Sequence, residues 1–138
     1  MAKKSGLTVR EDLQALTLLG SKAEPTKQLE AFPNHHQERN YSVTLETGEF
    51  TCLCPLTGQP DFARISIEYI PDQLIVESKS LKLYLQSYRN EGGFHEHLTN
   101  VILDDIVKEI APRYCKVTAH FNSRGGIAIT VCATHTKP

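Results

Sequence analysis

The sequence has no tryptophan, a single methionine and no apolar run near the ~20 residues that a membrane-spanning helix needs. No charge sign dominates, because 15 lysines and arginines face 16 aspartates and glutamates and the formal net charge is -1. This balance excludes the strongly basic surface on which nucleic-acid binders depend. Lys3 and Lys4 are not followed by an apolar segment, so no secretion signal is indicated. We expect a cytoplasmic protein with no membrane partner and no direct nucleic-acid partner.

Cysteine is also sparse, and this bears on compartment and chemistry. Without a secretion signal the chain meets a reducing environment, so free thiols are a better prediction than two disulfides. The four cysteines are Cys52, Cys54, Cys115 and Cys132. A Gly-x-Gly-x-x-Gly motif is missing, as is an alternating strand-helix repeat, so a Rossmann dinucleotide site is not expected.

The length of 138 residues indicates one folded domain. Residues 1–40 are polar and are interrupted by Gly20, Pro25 and Pro33, and only residues 10–19 have helical spacing of leucines. We therefore predict an N-terminal arm with a short helix at 1–40 and the folded domain at 41–138.

Periodicity within 41–138 predicts both strands and helices. Alternation of apolar and polar residues predicts extended chain at 41–45 and 50–53, leading to a loop at Cys54 and Pro55. A strand at 63–70 is followed by turn residues and a short strand at 74–77, which predicts an antiparallel pair.

Two helical patterns follow, at 80–88 and in a longer stretch that ends before Pro112. A closing hairpin is predicted from 116–121 and 126–131. The predicted fold class is α+β, an antiparallel sheet of about four strands with two helices on one face, in the order ββααββ. The open edges of such a sheet favour pairing with another subunit.

Cys54 and Asp61 are the first candidates for chemistry. Pro55 places Cys54 at a stiff chain reversal, where a thiol is accessible as a nucleophile, although an isolated cysteine is more often a small buried hydrophobe. Gly58 and Pro60 favour a turn that returns Asp61 towards this thiol. Asp61 is then either a proton donor or a turn-capping residue.

Charged residues near the two helices are the second group of candidates. Glu96 lies at the start of the long helix, where it either complements the helix dipole or accepts two N–H bonds from a nucleobase edge. Lys79 and Lys82 share a helical face, which is either solvated or suited to a dinucleotide phosphate.

Three segments together carry a family resemblance. They are residues 53–62 (LCPLTGQPDF), 77–84 (ESKSLKLY) and 94–96 (FHE). In order and spacing they resemble the short, single-module NADPH-dependent 7-cyano-7-deazaguanine reductases of queuosine biosynthesis, a branch of the tunnelling-fold family. The similarity runs from about Tyr41 to Ile129.

The resemblance implies an oxidoreductase that uses NADPH to reduce the nitrile of 7-cyano-7-deazaguanine to an aminomethyl group, by way of a covalent thioimide on a cysteine. The implied catalytic residues are Cys54, Asp61 and His95. The implied substrate contacts are Val76, Glu77, Ser78, His95 and Glu96. The implied cofactor contacts are Ser78, Lys79, Lys82, Arg124 and Gly125. No metal is implied, and the subunits of a homo-oligomer would join their sheets into a barrel with active sites between subunits.

Two other functions remain open at this point. A GTP cyclohydrolase or pterin-type enzyme of the same fold family would anchor its ligand through a similar glutamate and recruit zinc, but no paired Cys/His ligand motif accompanies Cys54. A non-catalytic nucleobase-binding protein of the same fold is the other alternative. Metal analysis and NADPH oxidation separate the three.

Overall fold

The computed structural model describes residues 24–138, and before them only the backbone of two short paired strands. These strands are Lys4–Ser5 (β1) and Thr8–Val9 (β2). The remaining strands are Ala31–Pro33 (β3), Val43–Leu53 (β4), Pro60–Ile70 (β5), Leu74–Val76 (β6), Tyr114–Arg124 (β7) and Ile127–Thr136 (β8). The helices are Ser78–Gln86 (α1) and His95–Ile110 (α2). The helix predicted at 10–19 lies outside the described residues.

A four-stranded antiparallel sheet with strand order β4-β5-β7-β8 forms the centre of the fold. Alternate residues of β5 and β7 are buried, as expected for a sheet that is covered on one face. The two extended segments predicted before Cys54 form one strand, because β4 continues through a bulge between Thr47 and Phe50. The predicted closing hairpin is β7 and β8.

Both helices contribute apolar side chains to the core beneath this sheet. In α2, Leu98, Ile102, Ile106 and Ile110 are buried at four-residue spacing. The helix ends at Ala111, whose φ of 44° is left-handed, just before Pro112. The α+β class and the order of the main elements are confirmed.

The predicted pairing of 63–70 with 74–77 is wrong. Both edges of β5 are already occupied, one by β4 and the other by β7. β6 instead pairs with β3 in a separate two-stranded sheet, while the Val76 N–H donates to the Tyr69 hydroxyl at 3.2 Å. Sequence alternation identified the strands correctly but gave no information on their partners.

Residues 24–40 pack against the domain along part of their length. Leu29 is buried in the core, and the Glu77 N–H donates to the Glu30 carbonyl at 2.9 Å. The division of the chain at residue 40 stays a prediction. In the described part of the chain, no helix is long and apolar enough to cross a membrane.

Candidate active site

Cys54 lies in the six-residue loop that joins β4 to β5. The loop is closed by two backbone hydrogen bonds: the Cys54 N–H donates to the Gln59 carbonyl at 2.8 Å, and the Gly58 N–H donates to the Cys54 carbonyl at 3.0 Å. Gly58 has a φ of 72°, which glycine adopts without strain. The loop therefore holds the thiol of Cys54 at a tight reversal, as the Cys-Pro pair predicts.

The environment of Cys54 favours its thiolate. Hydrogen bonds from the side chain and backbone of Thr57 and from the backbone of Leu56 lower the pKa of Cys54 from its usual 9.0, against smaller opposing effects from partial burial and from the charge of Asp61. Cys52, two residues earlier, is completely buried, and burial raises its pKa to about 11. Only one of the two neighbouring thiols is therefore suited to nucleophilic attack.

Asp61 is the first side chain of β5 to face the helices, and it is only 7% exposed. One carboxylate oxygen, Oδ2, lies 3.1 Å from His95 Nε2. The other, Oδ1, lies 2.7 Å from Arg124 Nε. A buried carboxylate thus meets one partner from α2 and one from the end of β7, and both of its oxygens are engaged.

The first residue of α2 is His95, and two contacts fix its ring. Its imidazole is stacked on the Phe121 ring with 3.7 Å between centroids and 2° between planes, and its Nε2 faces Asp61. Just before α2, the chain is joined to the end of β4: the Leu53 N–H donates to the Glu91 carbonyl at 2.9 Å, and the Gly93 N–H donates to the Leu53 carbonyl at 3.2 Å. The loop of Cys54 and the start of α2 are therefore held side by side.

Cys54, Asp61 and His95 share one cavity of about 300 Å³, which we call the cysteine cavity. It lies among the β4–β5 loop, the start of α2 and the β7–β8 hairpin. Its lining is completed by Pro55, Gly93, Phe94, Glu96, Asn122, Arg124, Ile127 and Ile129. The Glu96 carboxylate has no hydrogen-bond or ion-pair partner within residues 24–138, so it is free to bind a ligand that enters this cavity.

A second cavity of about 510 Å³, the helix groove, lies between β4 and α1. Its floor is apolar and includes Phe50, Ile65 and Leu81. The polar residues of its lining are Glu46, Thr47, Glu49, Thr51, Ser78, Lys82, Gln86 and Arg89. Among the described residues, none lines both cavities.

Comparison with known proteins identifies the family. The family model described as QueF-like protein matches residues 60–138. A relative from Syntrophus aciditrophicus, named NADPH-dependent 7-cyano-7-deazaguanine reductase, is 66% identical over 131 residues, which span 95% of this chain and 94% of the relative. The chain belongs to the QueF-like family.

Other relatives of this QueF-like chain agree. A protein of the same name from Halorhodospira halophila is 62% identical and aligns with 81% of this chain and 95% of its own length. The crystal structure of the archaeosine synthase QueF-Like in the apo form has a TM-score of 0.63 and 29% identity, over 67% of this chain and 91% of the other. The family and fold class predicted from sequence are confirmed.

In this QueF-like chain, the predicted site residues divide into three groups. The cysteine cavity brings together Cys54, Asp61, His95, Glu96 and Arg124, with Gly125 in the adjoining turn. Ser78 and Lys82 line the helix groove. Val76, Glu77 and Lys79 line neither cavity: Val76 is buried, and the Glu77 carboxylate caps α1 by accepting from the N–H groups of Lys79 at 2.9 Å and Ser80 at 2.5 Å. Their assigned roles stay predictions.

Sequence reasoning assigned no role to three residues: two apolar residues that line the cysteine cavity and the aromatic residue on which the His95 ring is stacked. Phe94 lines the cavity with 63% of its surface exposed, and Ile127 with 67%. Phe121 lies beneath the His95 ring. Phe94 lies at a helix start and Ile127 beside a hairpin turn, where an apolar side chain is expected to be exposed, so the sequence held a signal for both. The contact of Phe121 depends on how the elements pack, and the sequence held no such signal for it.

In the part of the chain that the structure describes, no three histidine, cysteine, aspartate or glutamate residues lie close enough together to hold a metal ion. That metal is not required stays a prediction, which metal analysis of the purified protein tests directly.

Proposed function

We propose that this chain catalyses the NADPH-dependent reduction of the nitrile of 7-cyano-7-deazaguanine to the aminomethyl group, a step of queuosine biosynthesis, through a covalent adduct on Cys54. The observation that carries the proposal is the placement of an activated thiol beside the Asp61–His95 pair in one cavity. The names of the relatives from Syntrophus and Halorhodospira support the substrate and the cofactor.

The first step is addition of the thiol to the nitrile carbon. A bond forms between sulfur and carbon, one π bond of the nitrile breaks, and nitrogen gains the proton that the thiol supplied, so the step involves no oxidation or reduction. The thiol proton must therefore move from sulfur to nitrogen. The hydrogen-bonded Asp61 and His95 side chains are suited to accept it and return it, and such acid–base assistance contributes about 10²–10⁴-fold.

Nucleobase recognition is assigned to Glu96 and Phe94. The exposed Glu96 carboxylate is able to accept two N–H bonds from the 2-aminopyrimidinone edge of a deazaguanine. The Phe94 ring, also exposed in the cavity, offers a flat apolar surface to a flat base. Pro55, Ile127 and Ile129 supply the apolar remainder of the cavity.

NADPH is assigned to the helix groove and the adjoining face of α1. Each NADPH molecule, when bound, would supply one hydride, so two molecules in succession would complete the four-electron reduction of a nitrile. Lys82 and Ser78 in the groove, and Lys79 on the same helix, fit this role because their cationic and hydroxyl groups are suited to phosphate. Arg124 in the cysteine cavity fits it less directly, since its guanidinium is already bonded to Asp61, Gln59 and Pro60.

The separation of the two cavities is the reason for proposing a site shared between subunits. A cofactor bound in the helix groove has to reach an adduct in the cysteine cavity, yet none of the described residues lines both cavities. We therefore propose that the helix groove of one subunit faces the cysteine cavity of the next, in a homo-oligomer whose sheets join at the open edges of β4 and β8.

The decisive experiment measures NADPH consumed per 7-cyano-7-deazaguanine supplied to the purified protein. Two NADPH molecules per nitrile are expected, with the aminomethyl product identified by mass. The Cys54→Ala variant is expected to lose both NADPH consumption and the covalent adduct while still binding the nucleobase. The Cys132→Ala variant, which changes an exposed cysteine on β8, is the matched control and should behave as the wild type.

Two results would contradict this function. Turnover by the Cys54→Ala variant would exclude a cysteine adduct. Binding of the nucleobase by folded, thiol-reduced wild type without any NADPH consumption would favour the non-catalytic alternative, and hydrolysis that depends on a bound metal would favour the cyclohydrolase alternative.

A further inference from the structure

Arg124 makes an unusual set of contacts for a residue expected to bind a cofactor. Its Nε lies 2.7 Å from Asp61 Oδ1, its Nη1 donates to Gln59 Oε1 at 3.1 Å, and its Nη2 donates to the Pro60 carbonyl at 2.6 Å. All three guanidinium nitrogens are therefore bonded to one stretch of chain, residues 59–61.

These contacts join two hairpins that have no covalent connection nearby. Arg124 is the last residue of β7, immediately before the Gly125–Gly126 turn, whereas residues 59–61 end the loop that carries Cys54. A planar guanidinium that makes three bonds in different directions fixes orientation as well as distance. Through Pro60 and Gln59 it holds the loop, and through Nε it holds one oxygen of Asp61.

The second oxygen of Asp61 is held by His95, so the two partners fix the carboxylate from opposite sides. Asp61 is 7% exposed and Arg124 is 43% exposed. If the arginine were removed, water would have poor access to the buried carboxylate and would not replace the lost hydrogen bond well. Without the guanidinium, the carboxylate is free to rotate towards other partners and away from the nitrile nitrogen.

We propose that Arg124 is a positioning residue, which orients Asp61 for proton transfer during addition of Cys54 to the nitrile. The proposal rests on the function proposed above, and it gives Arg124 a role in the step that precedes any use of NADPH. A cofactor contact at Arg124, as the sequence predicts, would act only in the later reduction steps.

Formation of the adduct in the absence of NADPH separates these roles. We would mix each variant with 7-cyano-7-deazaguanine alone and follow the covalent adduct by intact-protein mass. Arg124→Gln is expected to slow adduct formation about 10- to 100-fold, the range for a misplaced catalytic group. Arg124→Lys keeps the charge but replaces the three-way fork by a single ammonium, so it is expected to restore the rate only in part.

Two controls make the comparison specific. Arg64→Gln removes an exposed arginine from β5 of the same sheet and is expected to leave the rate unchanged. Gln59→Ala removes one loop contact of Arg124 but not the contact to Asp61, and is expected to slow the reaction much less than Arg124→Gln, because the bond that orients Asp61 remains. Thermal unfolding of each variant shows whether the fold is retained.

A double-mutant cycle then tests whether Arg124 acts through Asp61. In an Asp61→Asn background, followed over hours because the reaction is slower, Arg124→Gln should cause no further loss if the arginine works only by orienting that carboxylate. Equal, multiplicative losses in both backgrounds would overturn the proposal. So would a Gln59→Ala effect as large as that of Arg124→Gln.

Two further outcomes would also overturn the proposal. An unchanged rate of adduct formation in Arg124→Gln, with or without weaker NADPH binding, would overturn the positioning role and leave the proposed function intact. A wild-type protein that forms no adduct at all would overturn the proposed function and, with it, this inference.

Discussion

The two cavities of this chain are built on different physical principles. In the cysteine cavity the reactive groups are already in place: a thiol with a lowered pKa, a buried carboxylate with both oxygens engaged, and an imidazole stacked on a ring. The helix groove is larger, has an apolar floor and presents exposed polar side chains at its margin. In the proposed function, the cysteine cavity carries out the chemistry and the helix groove binds the cofactor.

The difference between the cavities fits the oligomeric site proposed above. A 138-residue domain offers limited surface for a deazapurine and a dinucleotide together. In the proposed oligomer, the work is divided between two cavities that a neighbouring subunit would bring together. The following predictions test this division, from the largest expected effect to the smallest.

Mixing two inactive variants tests whether subunits share sites. Cys54→Ala disables the cysteine cavity, and Lys82→Glu reverses a charge in the helix groove, so each alone is expected to be inactive. If a site combines halves from two subunits, unfolding and refolding an equal mixture restores about a quarter of the wild-type activity, because random assembly pairs two intact halves that often. No recovery, in mixed oligomers verified by native mass, would place both halves in one subunit. Mixing without unfolding is the control.

The same substitution at two glutamates compares binding with stability. Glu96→Gln, in the cysteine cavity, is expected to weaken nucleobase binding about 10- to 100-fold, because the amide replaces one of the two acceptor oxygens by an NH2 donor that would face an N–H of the base. Glu77→Gln removes one of the two bonds that cap α1 and is expected to lower the free energy of unfolding by about 1 kcal/mol. Calorimetry with a non-reactive Cys54→Ala background measures binding, and thermal unfolding measures stability. The reverse pattern would mean that the two glutamates have exchanged roles.

Adjacent glycines test how the two halves of the cysteine cavity are held together. A Cβ on Gly92 would lie 3.1 Å from Pro55 Cα, whereas a Cβ on Gly93 would meet nothing closer than Leu98 Cβ at 4.0 Å. Gly92→Ala is therefore expected to displace the loop by a few tenths of an ångström and to slow adduct formation about 3- to 10-fold. Gly93→Ala is the matched control, and equal rates for the two variants would disprove the close contact.

The pH dependence of alkylation tests the activation of Cys54. In a Cys132→Ser background, iodoacetamide should modify Cys54 with a midpoint below pH 9.0, since the thiolate is the reacting form and its pKa is lowered. Thr57→Ala removes the largest cause of this lowering, so the midpoint should move upward and the rate at pH 7 should fall a few-fold. Thr44→Ala, on the exposed side of β4, should not move it. Buried Cys52, with a pKa of about 11, should not react in the folded protein.

Local patterns predicted the main elements and the chain reversal at Cys54 well. The Cys-Pro pair gave the reversal at Cys54, the apolar spacing before Pro112 gave α2, and the glycines at 125 and 126 gave the last hairpin. These features depend on residues close together in sequence, where φ preferences and side-chain periodicity decide the structure.

Contacts between residues far apart in sequence could not be predicted from such local patterns. β6 pairs with β3 because both edges of β5 are filled, and no local signal at 74–76 shows this. Likewise Arg124 meets Asp61, 63 residues earlier, only because β5 and β7 are neighbours in the sheet. The family resemblance also grouped Glu77 and Glu96 as substrate contacts, whereas the structure engages Glu77 as a helix cap and leaves Glu96 in the cavity.

The sequence alone determined the family and the fold class, and it predicted the chain reversal at Cys54, because each depends on short motifs and local periodicity. The tertiary structure decided which predicted residues share a cavity, which carboxylate is already bonded, and what Arg124 contacts. Those outcomes depend on which strands become neighbours, and neighbours in a sheet are chosen by the packing of the whole core and not by any single segment.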